Sequence, residues 1–128
     1  MGFKAAGIPD EKIYQTLSSS GVQTFNKFPT AQEMKDCKFH FFEFERDGIE
    51  KGDTPSAFIE RINVLYVFPS GLNEAPDLTE VLEALILTGL QVRDSDEGTI
   101  KFKDTQKEYT TYSIIVTRPR MYLRELKS

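Results

Sequence analysis

Residues 57–68, AFIERINVLYVF, constrain the fold more than any other stretch of this chain. Phe58, Ile62, Val64, Tyr66 and Phe68 recur at period two with only Glu60 among them, while Ile59, Arg61, Asn63, Leu65 and Val67 alternate with them. That period, carried by β-branched and aromatic side chains, predicts a strand with one core face. Its second face is polar in the middle and apolar at the end. Such a strand needs neighbours, because alone it leaves a row of backbone N–H and C=O groups unpaired.

Two further segments read as those neighbours. In residues 38–46 (KFHFFEFER), Phe39 and Phe41 point one way and His40, Phe42 and Phe44 the other, so the strand begins apolar on both faces and ends charged. In residues 108–118 (EYTTYSIIVTR), Tyr112, Ile114 and Val116 share one face, Tyr109, Thr111, Ser113 and Ile115 share the other, and Pro119 is expected to end the strand. Residues 90–93 and 99–103 read as shorter strands around an acidic turn at 94–98 (DSDEG), and the Gly-, Pro- and Asp-bearing stretch 47–56 reads as a long hairpin loop.

Helices are predicted at two places. Pro9, Asp10 and Glu11 open one over 9–20, with Ile13 and Leu17 as its buried stripe and Gly21 as its stop. Asp77 caps another, in which Leu78, Val81, Leu82, Leu85 and Ile86 fall on one side and which Gly89 ends. Residues 22–28 read as a short extended piece and 30–36 as a polar connection. The last ten residues, with Arg120, Arg124 and Lys127 following Arg118, form a basic tail over 119–128 that is expected to be a short helix or disordered. The order predicts a single α+β domain over 1–128, an antiparallel β-sheet with two helices packed on one face. Ile59, Leu65 and Val67, with Phe42 and Phe44, make the remaining surface more apolar than a solvated face requires, which points to contact between chains.

Composition removes whole classes of function. One cysteine, Cys37, leaves no intramolecular disulfide and no Cys-rich zinc site, which suits a reducing setting. One histidine, His40, excludes any site that needs two imidazoles. With 16 Lys and Arg against 20 Asp and Glu, the net charge of −4 argues against a protein that wraps on nucleic acid, where cations must displace counterions from phosphate. Residues 1–12 hold no apolar stretch of signal-peptide length, and Ala6 stands where a myristoylation signal needs Ser or Thr, so neither export nor a lipid anchor is expected. No run approaches the ~20 apolar residues of a membrane span.

The chemistry-bearing residues do not form a nameable site. A calcium loop starting at Asp94 would need a ligand at position 98 and Glu at 105, where the chain has Gly98 and Thr105. Gly48 and Gly52 fit neither phosphate-binding pattern. His40 reads as a histidine hydrogen-bonded beside the sheet and Cys37 as a small half-buried residue. The acidic tract Glu43, Glu45, Asp47, Glu50 and Asp53 reads as a solvated hairpin end. RNA-binding sheets that stack bases on aromatics also carry Lys and Arg beside the rings, whereas KFHFFEF has Glu43 and Glu45 there. No catalytic triad is legible, so no enzyme and no cofactor is expected.

The element order, with an aromatic strand KFHFFEF, a strand ERINVLYVFPS, a helix LTEVLEALILTGL, an acidic turn and a Tyr-rich strand KEYTTYSIIV, resembles the tail terminator or tail completion (head-tail joining) proteins of long-tailed bacteriophages over residues 9–118. The resemblance implies a structural virion component, not an enzyme. It implies a homo-oligomeric, sixfold ring at the head-proximal end of the tail, assembled in the bacterial host cytoplasm from a phage or prophage gene. The implied partners are the tail-tube protein and a head completion or connector protein, with DNA passing through the lumen without specific binding and no membrane involved. The implied interface residues are Phe42, Phe44, Ile59, Leu65 and Val67 on the sheet and Ile49 and Asp53 in the hairpin loop. A cytoplasmic adaptor module built on the same sheet is the alternative.

Overall fold

The computed structural model describes residues 3–6, 8–51, 57–72, 77–102 and 107–124. Its backbone runs β1 (Phe3–Ala6), α1 (Asp10–Ser18), β2 (Gln23–Phe25), α2 (Ala31–Asp36), β3 (Phe41–Lys51), β4 (Ala57–Pro69), α3 (Leu78–Leu87), β5 (Gln91–Lys101) and β6 (Glu108–Arg124). The class is α+β. The strands join in one sheet of order β1-β6-β4-β3-β2, with β5 also paired to β6. The sheet departs from the purely antiparallel expectation at β2, which pairs parallel to β3. Parallel neighbours need a crossover, and α2 is part of it.

Register fixes which residues share a face. Phe42 pairs with Tyr66 and Tyr66 with Tyr112; Phe44 pairs with Val64 and Val64 with Ile114; Ile62 pairs with Val116. These side chains make one buried cluster with Ile13 and Leu17 of α1 and Val81 and Leu85 of α3. The opposite face has its own smaller cluster of Phe41, Val67 and Tyr109, covered by Met34 of α2, Cys37, Phe39 and Phe102. Fully burying a side chain of this size contributes about 1.5–3 kcal/mol, so the larger cluster dominates the stability of the domain.

The connection expected over 30–36 is instead α2. Thr30 accepts from the Glu33 N–H at 3.2 Å and Glu33 returns a carboxylate to the Thr30 N–H at 2.9 Å, a complete capping box. The hairpin loop expected over 47–56 is strand as far as Lys51, and residues 52–56 lie outside the described ones. A bulge absorbs the irregularity: Gly48, at φ +144°, sits where a Cβ would come within 3.2 Å of the Arg61 guanidinium.

The acidic turn expected at 94–98 is the middle of β5, an edge strand. Its charges and a bulge between Val92 and Asp94 are what keep such an edge from pairing indiscriminately. Nor does Pro119 end β6, which continues to Arg124, so residues 119–124 of the expected tail are strand. Pro119 pairs with Ile59 of β4, while on the other side the β5 ladder stops at Thr117 and the β1 ladder starts at Met121. A proline is tolerated there because that side has no neighbour asking for its missing N–H.

Candidate functional site

The second sheet face, opposite the large cluster, divides into three zones along the strands. Its apolar end is Phe41, Val67 and Tyr109, where the rings of Phe25 and Phe28 stand edge-on to Phe41 at 5.8 and 6.2 Å. Phe39 lies 5.2 Å from Phe102 and 5.1 Å from Tyr109. The chain thus covers this end with its own side chains.

The middle zone is a four-strand floor two rows deep. One row reads Glu43, Leu65, Ser113, Asp96 across β3, β4, β6 and β5, and the next reads Glu45, Asn63, Ile115, Asp94. Leu65, Asn63, Ser113 and Ile115 are half-buried, and Glu45, Asp94 and Asp96 are exposed. Carboxylates therefore flank a mixed aliphatic and polar patch on both sides, about 14 Å apart across three strand spacings. The third zone is cationic: Arg93 donates to Thr117 Oγ1 at 3.2 Å, and Arg61 pairs with Glu50 at 3.2 Å.

Glu43 differs from the other acids. It is 3% exposed, and its Oε1 is buried without a hydrogen-bond partner. Burial first, and then the hydrogen bond and negative charge of Glu45, push its carboxyl up to about 8. At neutral pH it is largely protonated.

Phe42 and Phe44 are 0% and 4% exposed, and lie in the cluster that holds α1 and α3. Val67 is 0% exposed beneath the chain's own Phe39, Met34 and Cys37. All three are corrected from surface to core: a strand apolar on both faces is buried on both, one side by helices and the other by the β2–α2–β3 crossover. Leu65 and Ile59 are half-buried on the second face, and Ile49 is 49% exposed on β3. Asp53 lies outside the described residues. The second face is accordingly less apolar and more acidic than the sequence reading expects.

The other singled-out residues fall elsewhere. His40 Nε2 is 2.7 Å from the Tyr66 hydroxyl, and burial lowers the imidazole pKa and raises that of the phenol. Cys37 Sγ donates to the Met34 carbonyl at 3.4 Å, and burial raises its thiol pKa. Asp94 and Asp96 face one side of β5, and Ser95 and Glu97, in register with Ile114 and Tyr112, face the other. Among the described residues no group of three or more His, Cys, Asp or Glu is gathered as a metal would require. No helix among them is long and apolar enough to cross a membrane.

Sequence reasoning missed one constellation. Arg118, 1% exposed, donates from Nε to Glu60 Oε1 at 2.7 Å, from Nη1 to the Ile8 carbonyl at 2.6 Å, and pairs through Nη2 with Asp10 at 2.6 Å and with Glu60. Arg46 Nε reaches the other Glu60 oxygen at 2.9 Å. Beside it lies a cavity of about 160 Å³ lined by Asp10, Asn26, Phe44, Arg46, Ile62 and Arg118, with Glu45 at its edge. Two acids and two arginines neutralise one another there, so the cluster ties the segment after β1 to the sheet. Its signal in sequence was Glu60 alone on an otherwise apolar face.

No protein-family model matches the chain, and no curated protein matches its sequence.

Proposed function

We propose that this chain is a structural virion subunit that closes into a ring at the head-proximal end of a long phage tail, ends the tail tube there, and joins it to the head. The observation that carries the reading is the open middle of the second sheet face, where Glu45, Asp94 and Asp96 flank Leu65 and Ile115 on a floor with no helix of its own. Turned inward, those carboxylates repel DNA phosphate and let the duplex slide, where Lys and Arg would hold it. Support comes from charge and not from the apolar surface expected from sequence, since the apolar end of that face is covered within the chain.

In this arrangement α1 and α3 face outward. The β3–β4 ribbon, carrying exposed Ile49 towards its end, meets the neighbouring subunit. The tail-tube protein and a head completion or connector protein bind the two rims. Sedimentation velocity over a concentration series tests the reading: a closed oligomer of fixed size at high concentration supports it. A chain that stays monomeric throughout and forms a one-to-one complex with a folded host protein contradicts it and favours the adaptor alternative.

A further inference from the structure

The short strand β2 is held to the sheet by three register pairs, Gln23 with Phe41, Thr24 with Phe42 and Phe25 with Glu43, whereas β4 pairs with β3 from Phe41 to Lys51. The last of the three β2 pairs places a buried carboxyl at the seam. Glu43 is 3% exposed with its Oε1 buried and unpartnered, and Glu45 stands two residues along on the same face.

Among the described residues, the groups around it carry no compensating cation. Across β4 the register neighbours are Leu65 and, beside Glu45, Asn63; on β2 it is Phe25. From α2, Glu33 and Asp36 line a groove of about 260 Å³ with Gln23, Phe25 and Cys37. The lysines of the crossover, Lys27, Lys35 and Lys38, are exposed, and Arg61 on β4 pairs with Glu50.

We propose that the β2–α2 crossover is a flap that rising pH releases: ionisation of Glu43 beside Glu45 frees β2 from the sheet edge and opens residues 23–40, while β3, β4, β6 and β5 stay paired. Protonated, Glu43 donates its proton in a hydrogen bond to Glu45 and the flap closes over Phe41 and Val67. Once that proton leaves to solvent, two carboxylates share one strand face, and the buried one must reach water. The route that breaks the fewest hydrogen bonds is past the three pairs of β2. Opposing this are the contacts of Phe25 and Phe28 with Phe41 and the partial burial of Met34, which keep the flap shut at lower pH. Opening therefore gains with rising pH between the free carboxyl's range and the elevated value described above, and gains no more beyond it. The flap stands whether or not the chain forms a ring.

Cys37, the one cysteine in the sequence, lies in the flap and reports on it. Its alkylation rate in the full chain is compared with that of Glu43→Gln at each pH, so that the common titration of the thiol cancels. The wild-type to variant ratio should be near one at about pH 5, rise at least roughly tenfold by about pH 8 and level off above it, with far-ultraviolet circular dichroism showing the sheet retained. A ratio that stays at one, or loss of the sheet signal together with Cys37 exposure, overturns the proposal. Glu45→Gln provides a second test should Glu43→Gln misfold. Removing the neighbouring charge weakens the repulsion that opens the flap, so Cys37 alkylation above about pH 8 falls below the wild-type rate, and a rate equal to the wild type there overturns the proposal equally.

Discussion

The Arg118 guanidinium and the Glu60 carboxylate meet across the β4–β6 ladder with Nε and Oε1 2.7 Å apart and both side chains at most 1% exposed. The same guanidinium holds the Ile8 carbonyl and Asp10, so one residue of β6 fastens the chain between β1 and α1 to the sheet. Removing either partner strands a buried charge. Arg118→Ala or Glu60→Ala should each cost about 3–5 kcal/mol in chemical denaturation, while the double replacement Glu60→Leu with Arg118→Met costs less than either single change. Additive losses would show that the pair is not coupled.

The two ends of the exposure range on α3 predict opposite outcomes. Leu85 is 0% exposed inside the large cluster and Leu87, two residues further on and on the opposite side of the helix, is 87% exposed. Leu85→Ala should lose about 2–5 kcal/mol through the transfer and cavity terms, and Leu87→Ala should stay within about 0.5 kcal/mol. Urea midpoints at unchanged slope decide it.

Glu43 gives the fold a pH signature opposite to that of a salt-bridged acid. Its folded-state pKa is raised from 4.5 to about 8, so the native state holds a proton that the unfolded chain has released. Its contribution is fully present below about 4.5 and is lost progressively up to about 8, at no more than ~1.4 kcal/mol per pH unit, and is flat above that. Denaturation midpoints measured from pH 5 to 9 should fall along that window in the wild type, and the fall should be absent in Glu43→Gln.

On the proposed ring, Ile49 separates folding from assembly. It is 49% exposed on β3, so Ile49→Glu should leave the unfolding free energy within about 0.5 kcal/mol of wild type. In sedimentation velocity the same variant should shift the self-association to higher protein concentration, because the charge must be desolvated at a subunit contact. A variant that associates like the wild type removes Ile49 from the interface.

Much of the sheet was legible because its central strands alternate cleanly. Phe42, Phe44, Ile62, Val64, Tyr66, Ile114 and Val116 follow period two and enter one cluster with Ile13, Leu17, Val81 and Leu85, which follow the helical spacing. Where the reading failed, the cause was local chemistry outweighed by pairing. Asp94, Ser95, Asp96 and Glu97 look like a turn, yet β6 offers them a ladder; Pro119 looks like a stop, yet it falls where no neighbour needs its N–H. The Thr30 and Glu33 capping box was present in the sequence and read as a loop because α2 has only six residues.

The candidate surface was only partly legible. Period two assigns Glu43, Glu45, Asn63, Leu65, Ser113 and Ile115 to sheet faces, but only the register brings them into two rows with Asp96 and Asp94. The burial of Phe42 and Val67 on opposite sides of the sheet depends on the crossover through α2, which no single segment announces.

Electron cryomicroscopy of the concentrated full-length protein tests the central claim most directly. The account predicts a closed ring whose channel is lined by the β3–β4–β6–β5 floor, with Glu45, Asp94 and Asp96 facing the lumen. Particles no larger than a monomer, or a ring that turns those carboxylates outward, would contradict it.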